Sequence, residues 1–334
     1  MSQSEIYPWQ HDDWIKLQEL SKRPLHGLLL KGSKGIGKFD LALRFAQSLL
    51  CQQPSQTGFS CGICPACHWF EQGTHPDFRL LQSELLSQDG EGSELGKKPS
   101  KQISVDQVRS LADFVGMSAH QGGRRVVLVY PAETMNVNAA NALLKNLEEP
   151  PAGLLFILVT HKPQQLLPTI LSRCLSFALQ APDAVAAAHW LQKQGIKNPD
   201  AVLAASGFSP LQALQTGEQN SNEVREKLLR AMRQPEKLDV FVLAETLQKT
   251  EQVLVVQWLQ QWCYDLNSMK LAGVLRYHPD EAVAIQKLVE PVAALSLARL
   301  QKHLQHAKRE ARHTLNAKLF FESLLFSYCR IMSE

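Results

Sequence analysis

Apolar positions fall into two alternating patterns along the first half of the chain. Leu25 to Leu30 is a short apolar run, and Arg125 to Tyr130 carries another, Val126-Val127-Leu128-Val129. A third, Leu154 to Val159, is apolar at every position. Such lengths suit strands, and an unbroken run predicts a central parallel strand buried on both faces. Between them the spacing changes to that of a helix. Leu41, Phe45 and Leu49 share one face, as do Ala142, Leu143 and Leu147, which places a helix over Asn138 to Glu149. Pro150-Pro151 ends that helix, because proline cannot continue the ladder and restricts the residue before it. Ile103 to Val105 leads into a helix from Asp106 to Gly116, with Ser104 and Gln107 spaced as a capping box. Ser83 to Lys101, rich in Gly, Ser, Lys and Glu, reads as a surface loop.

Further on, strand patterns stop. Ala181-Pro182-Asp183 reads as a linker, and Asp183 to Gln194 with Pro199 to Gly217 as a small helical lid. A second boundary falls near Asn220-Ser221-Asn222. Helix follows helix after it, with stripes such as Val253, Val256, Leu259 and Cys263 that bury a core of their own. Lys302, His306, Arg309 and His313 form a basic stripe without aromatics, which reads as a solvated face rather than a strand-binding groove. The expected domains are 1–180, 181–220 and 221–334.

Composition narrows the function classes. The 334 residues are enough for two or three domains, and 45% hydrophobic with 20% charged residues is ordinary for a soluble globular chain. The 35 basic and 32 acidic residues give +3, too balanced for a protein whose main task is gripping a phosphate backbone. MSQSEIYPWQHDDW has neither the basic start nor the apolar core of a signal peptide, and no window approaches a membrane span. The expected location is the cytoplasm, where clustered cysteines bind metal more often than they pair.

Three stretches carry candidate chemistry. Gly32-Ser33-Lys34-Gly35-Ile36-Gly37-Lys38-Phe39 follows the phosphate-loop pattern up to its last position. Gly32, Gly35, Gly37 and Lys38 are the candidate nucleotide-binding residues. Phe39 replaces the hydroxyl that would ligate Mg²⁺, so weak or absent ATP binding is expected, and a glycine turn without ligand stays open. Cys51, Cys61, Cys64 and Cys67, spaced C-x9-C-x2-C-x2-C, match a structural Zn²⁺ site, with Gly58 and Gly62 supplying turns. An iron–sulfur cluster or four free thiols are the alternatives. Cys174, Cys263 and Cys329 read as isolated core residues. Arg173 falls in a loop beyond the third apolar run, where α/β proteins place functional groups. Glu148-Glu149 is an oddity, since the helix dipole disfavours acids at a C-terminus.

NALLKNLEEPP (Asn141 to Pro151) followed by TILSRC (Thr169 to Cys174) resembles the small-subunit clamp loaders of the AAA+ class, over most of residues 1–215. The resemblance implies an α/β AAA+ module with a structural zinc insertion at 51–67, a helical lid, and an all-α C-terminal collar domain that oligomerises. It implies a subunit of a bacterial DNA polymerase holoenzyme that helps place a ring-shaped sliding clamp on primer-template DNA. Implied partners are ATPase siblings of the gamma/tau type, a delta subunit, the clamp and DNA. The family's second nucleotide motif, an acidic pair, should fall on Tyr130 and Pro131, with Glu133 two positions late. Thr160-His161 keeps a polar pair after the strand, and Ser206-Gly207-Phe208-Ser209-Pro210 lacks the arginine or polar sensor that the family often places in its lid. These losses imply a non-catalytic stator. The motif around Ser172-Arg173-Cys174 implies that Arg173, with Ser172, is an arginine finger acting in trans. An active AAA+ ATPase and a zinc-dependent DNA-binding protein are the competing readings.

Overall fold

The computed structural model describes residues 6–86, 100–120, 123–217, 221–311 and 316–333. It divides into two compact units, Met1–Asp183 and Ala184–Glu334, and most of the predicted Ser83 to Lys101 loop lies outside the described residues.

The first unit is built on five strands: β1 (Gly27–Lys31), β2 (Phe78–Leu81), β3 (Arg125–Val129), β4 (Leu154–Thr160) and β5 (Leu175–Ala178). They form one sheet in the order β2-β3-β4-β1-β5 with every pairing parallel. Its helices are α1 (His11–Ser21), α2 (Lys38–Leu50), α3 (Pro65–Glu71), α4 (Val105–Arg109), α5 (Ala112–Gly116), α6 (Val137–Glu148) and α7 (Pro168–Arg173). Strand residues alternate between two cores. Leu28, Leu30, Val126, Leu128, Ile157 and Val159 pack with Trp14 of α1 and Leu41 and Phe45 of α2. Leu29, Val127, Val129, Phe156 and Leu158 pack with Val108, Phe114, Leu143, Leu147 and Ile170 of α4 to α7. Helices on both faces explain why these strands lack polar alternation. This is the α/β module that the resemblance implies.

β1 is the first strand in sequence but lies between β4 and β5. The chain leaves it toward one edge, returns, and then adds β5 on its other side. In open parallel sheets ligands bind beyond the strands' carboxyl ends at such a switch point, and the glycine loop occupies that place.

Local signals set the helix ends. Asn136 caps α6 by accepting the Ala139 N–H at 2.8 Å. Ser104 and Gln107 form the expected capping box at the start of α4. The helix predicted over Asp106 to Gly116 is instead two short ones. At the break Ser110 Oγ donates to the Gln107 carbonyl at 2.8 Å, a local bond of the kind that competes with the ladder.

Among its described residues the second unit is all helical: α8 (Ala184–Lys193), α9 (Pro199–Ala205), α10 (Pro210–Gly217), α11 (Ser221–Met232), α12 (Val240–Leu247), α13 (Gln252–Ala272), α14 (Ala282–Val289), α15 (Ala294–Glu310) and α16 (Ala317–Met332). Trp258, Leu259 and Trp262 of α13 share a core with Leu297, Leu300 and Leu304 of α15 and Phe321, Leu325 and Tyr328 of α16. Among the described residues no helix is long and apolar enough to cross a membrane. Of the three isolated cysteines, Cys174 and Cys263 are buried and Cys329 is half-buried.

One carboxylate organises the turn after α13. Asp265 is fully buried and accepts the backbone N–H groups of Arg276, Tyr277 and His278 at 2.7 to 3.2 Å, with His278 Nδ1 2.9 Å away. Removing it would leave the buried His278 N–H and the part-buried Arg276 and Tyr277 N–H groups without this acceptor, a buried one costing about 1–3 kcal/mol. Asp265→Ala should therefore lower unfolding free energy by about 3 kcal/mol, and Asp265→Asn by less. Urea denaturation followed by tryptophan fluorescence measures both, and a loss under about 1 kcal/mol for alanine would contradict this role.

Candidate functional site

The glycine loop follows β1 and is occupied by the chain itself. Lys38 is only 2% exposed, and its Nζ donates to the carbonyls of Gly32 at 2.9 Å and Ser33 at 2.5 Å. Burial pushes its pKa down to about 8, against the opposing pull of Glu133. Gly37 has φ +82°, and a Cβ there would meet the Tyr7 ring at 2.4 Å. Trp9 Nε1 donates to the Ile36 carbonyl at 3.1 Å. The buried Gln10 amide donates to the carbonyls of Ile36 and Gly37 at 2.9 and 2.8 Å. Tyr7 and Trp9 stack on one another, with centroids 5.1 Å apart. A segment just ahead of α1 thus lies over the loop, and the lysine that would face a phosphate is turned onto backbone oxygens.

Aromatic rings occupy the metal side. Phe39 stacks on Tyr130 at 4.3 Å, and His161 meets Tyr130 edge-on at 5.6 Å. Neither ring supplies an oxygen ligand of the kind Mg²⁺ requires. Glu133, two positions beyond the expected acid, folds back to the end of β4. Its carboxylate accepts Thr160 Oγ1 at 2.8 Å and the His161 N–H at 3.1 Å. Counting positions sets this carboxylate aside as two residues late, and the structure brings it to the polar pair Thr160-His161. Burial, then Lys38, pushes His161 down to about 4, so the ring is neutral at pH 7. Among the described residues neither of its ring nitrogens has a hydrogen-bond partner.

The four cysteines come together between α2 and α3. Their sulfurs lie within 4.8 Å of one another, with Cys51–Cys61 at 3.6 Å and Cys51–Cys64 and Cys61–Cys67 at 3.9 Å. One tetrahedral metal ion about 2.3 Å from each sulfur would set its ligands about 3.8 Å apart, so the cluster fits a closed four-thiolate site. Backbone N–H groups support the sulfurs: Cys61 N–H points at Cys51, Cys64 N–H at Cys61 and Cys67 N–H at Cys64, at 3.3 to 3.4 Å. The N–H groups of Ile63 and Cys64 pull the Cys61 thiol down to about 6. Gly62 takes φ +72° between the paired cysteines. The insertion is anchored to α1, where Trp14 stacks on Phe59 at 4.4 Å and donates to the Thr57 carbonyl at 3.0 Å.

Arg173 does not lie in a loop at a carboxyl end of the sheet. It is the last residue of α7, a helix that begins at Pro168 and buries Ile170. It precedes β5, whose Leu175 pairs with Leu28 near the start of β1. Arg173 is therefore at the amino end of the strands and the phosphate loop at the carboxyl end, separated by the five residues of β1, about 17 Å of strand. Its Nη2 lies 2.6 Å from Glu148 Oε1, and Nη1 donates to the Thr169 carbonyl at 3.1 Å and Ser172 Oγ at 3.4 Å. The Arg173 side chain is 33% exposed, and Cys174 beside it is buried.

Comparison with known proteins follows the same division of the chain. Residues 12–183 match the family model described as DNA polymerase III, delta subunit, and residues 219–328 match its C-terminal model. A DNA polymerase III subunit delta′ from Pseudomonas aeruginosa is 36% identical, over 98% of both chains. The subunit delta′ of Escherichia coli is 37% identical over 68% of this chain and 65% of its own length. The Escherichia coli subunit tau is 35% identical over 50% of this chain and 23% of its own. The chain belongs to the DNA polymerase III subunit delta′ family, with a clamp-loader role in DNA replication.

Proposed function

We propose that the chain is the non-catalytic stator of the clamp loader and that Arg173 completes an ATPase site in the adjoining subunit. The observation that carries this reading is the placement of its two nucleotide-related elements at opposite ends of β1. At one end the phosphate loop is covered by Tyr7, Trp9 and Gln10 and has aromatic rings on its metal side. At the other, a partly exposed arginine has no nucleotide loop of its own within reach. Hydrolysis needs Mg²⁺ held between the loop and an acid, which argues against the active-motor reading. A balanced charge argues against a zinc-dependent DNA-binding protein.

In this reading ATPase siblings of the gamma/tau type and a delta subunit assemble around the chain. The assembly acts on the sliding clamp and primer-template DNA in the bacterial cytoplasm. Residues 1–180 carry the degenerate site, 181–220 the lid and 221–334 the collar. Zn²⁺ fills the Cys51, Cys61, Cys64 and Cys67 site as a structural ion, because four thiolates leave no position open for a substrate. Gly32, Gly35, Gly37 and Lys38 hold no productive nucleotide. Arg173, with Ser172 beside it, would stabilise charge developing on the γ-phosphate across the interface, as arginine fingers do.

Three outcomes are expected. Elemental analysis of protein purified without chelator should find about one Zn²⁺ per chain, and Cys64→Ser should lower both the zinc content and the melting temperature. Metal-free protein with an unchanged melting temperature speaks against the site. The isolated chain should not turn over ATP. Turnover abolished by Lys38→Ala would overturn the stator reading. Arg173→Ala should leave folding, zinc content and assembly intact and slow DNA-stimulated ATP hydrolysis and clamp loading by the reconstituted complex. Individual fingers are worth roughly 10³ to 10⁵ in rate, diluted here by the other sites. Lysine should not restore full activity, lacking the planar fork of guanidinium. Normal hydrolysis by the alanine complex would leave Arg173 a structural residue only.

A further inference from the structure

Glu148 stands where helix electrostatics disfavour an acid. It is the last residue of α6, next to the C-cap Glu149, where the unpaired carbonyls present the negative end of the dipole. Its carboxylate faces the Arg173 guanidinium at 2.6 Å. Both residues are carried on fixed elements. α6 stops at Glu148 against Pro150-Pro151, and Leu147 and Ile170 bind the ends of α6 and α7 into one core. The guanidinium is thus held by the Glu148 carboxylate, the Thr169 carbonyl and the Ser172 hydroxyl.

These contacts take both N–H groups of Nη1 and one of Nη2. Guanidinium has five N–H donors, and the three contacts use three of them at most. The arginine can therefore keep Glu148 and still offer N–H groups to a phosphate oxygen. With Glu148 itself 48% exposed, the pair contributes little to folding. Its effect lies in restricting a long, rotamer-rich side chain to one orientation. A finger already oriented loses less freedom when the transition state forms, and such pre-organisation raises rate more than affinity.

We propose that Glu148 is the positioning residue of the Arg173 finger, fixing the guanidinium plane before a neighbour's nucleotide arrives. This rests on the trans-acting role of Arg173 given above. The test uses the reconstituted clamp loader carrying Glu148→Ala, Glu148→Gln, Arg173→Ala or the Glu148→Ala/Arg173→Ala double variant. DNA-stimulated ATP hydrolysis is measured as kcat and KM, beside the melting temperature of each isolated chain. Glu148→Ala should lower kcat about two- to fivefold, the scale of one partly exposed ion pair, with KM for ATP and the melting temperature unchanged. Glu148→Gln, which keeps a carbonyl acceptor, should recover part of the loss. In the Arg173→Ala background Glu148→Ala should have no further effect. If Arg173→Ala slows hydrolysis while Glu148→Ala leaves kcat unchanged, raises it, or lowers it equally in both backgrounds, the positioning role is wrong and the finger stands. If Arg173→Ala itself changes nothing, the finger fails and the positioning role with it.

Discussion

The first unit depends on β1 being enclosed by parallel neighbours. Its Leu28, Leu29 and Leu30 are buried between β4 and β5, with helices on both faces. Its register is set by backbone pairing on both sides, with Leu28 opposite Ile157 of β4 and Leu175 of β5. Its two ends are therefore fixed points. One end sets the phosphate loop and the other receives α7 and Arg173. Gly27 marks how tight the second end is: a Cβ there would lie 3.1 Å from the Arg173 carbonyl and 3.2 Å from Cys174 Sγ.

Around this frame several positions of the phosphate-loop pattern carry other residues, and the structure shows what they pack against. Phe39 and Tyr130 stack where a hydroxyl and an acid would meet a metal. Tyr7 fills the space beside Gly37, and Lys38 turns to carbonyl oxygens. These replacements agree with each other. An aromatic pair excludes water, and a neutral buried His161 beside it costs less than a charged one would. The region is a packed joint between elements.

Much of this was legible in the residues, for physical reasons that differ by element. β3 and β4 were readable because central parallel strands are apolar throughout. β2 and β5 were not, since short edge strands such as Phe78-Arg79-Leu80-Leu81 keep exposed positions that blur the pattern. The four-cysteine spacing announced a cluster, and the sulfurs converge. The covering of the loop by Trp9 and Gln10 has no periodic signature and arises from tertiary packing across more than twenty residues of sequence. Glu133 was set aside as two positions late, because counting does not show that the 3-10 turn Ala132–Thr134 carries its carboxylate back to β4. Arg173 was found from its motif, but the motif did not reveal that it ends a helix at the amino side of the sheet.

The segment ahead of α1 is part of the packed fold rather than an appendage to it. Here Tyr7 and Trp9 are half-buried and Gln10 is buried against the phosphate loop, and α1, which follows them, carries Trp14 onto the cysteine insertion. Substitutions in this segment would act as core mutations, uncovering Gly37 and the Ile36 carbonyl of the phosphate loop, and Trp14→Ala in α1 would loosen the cysteine insertion that it holds.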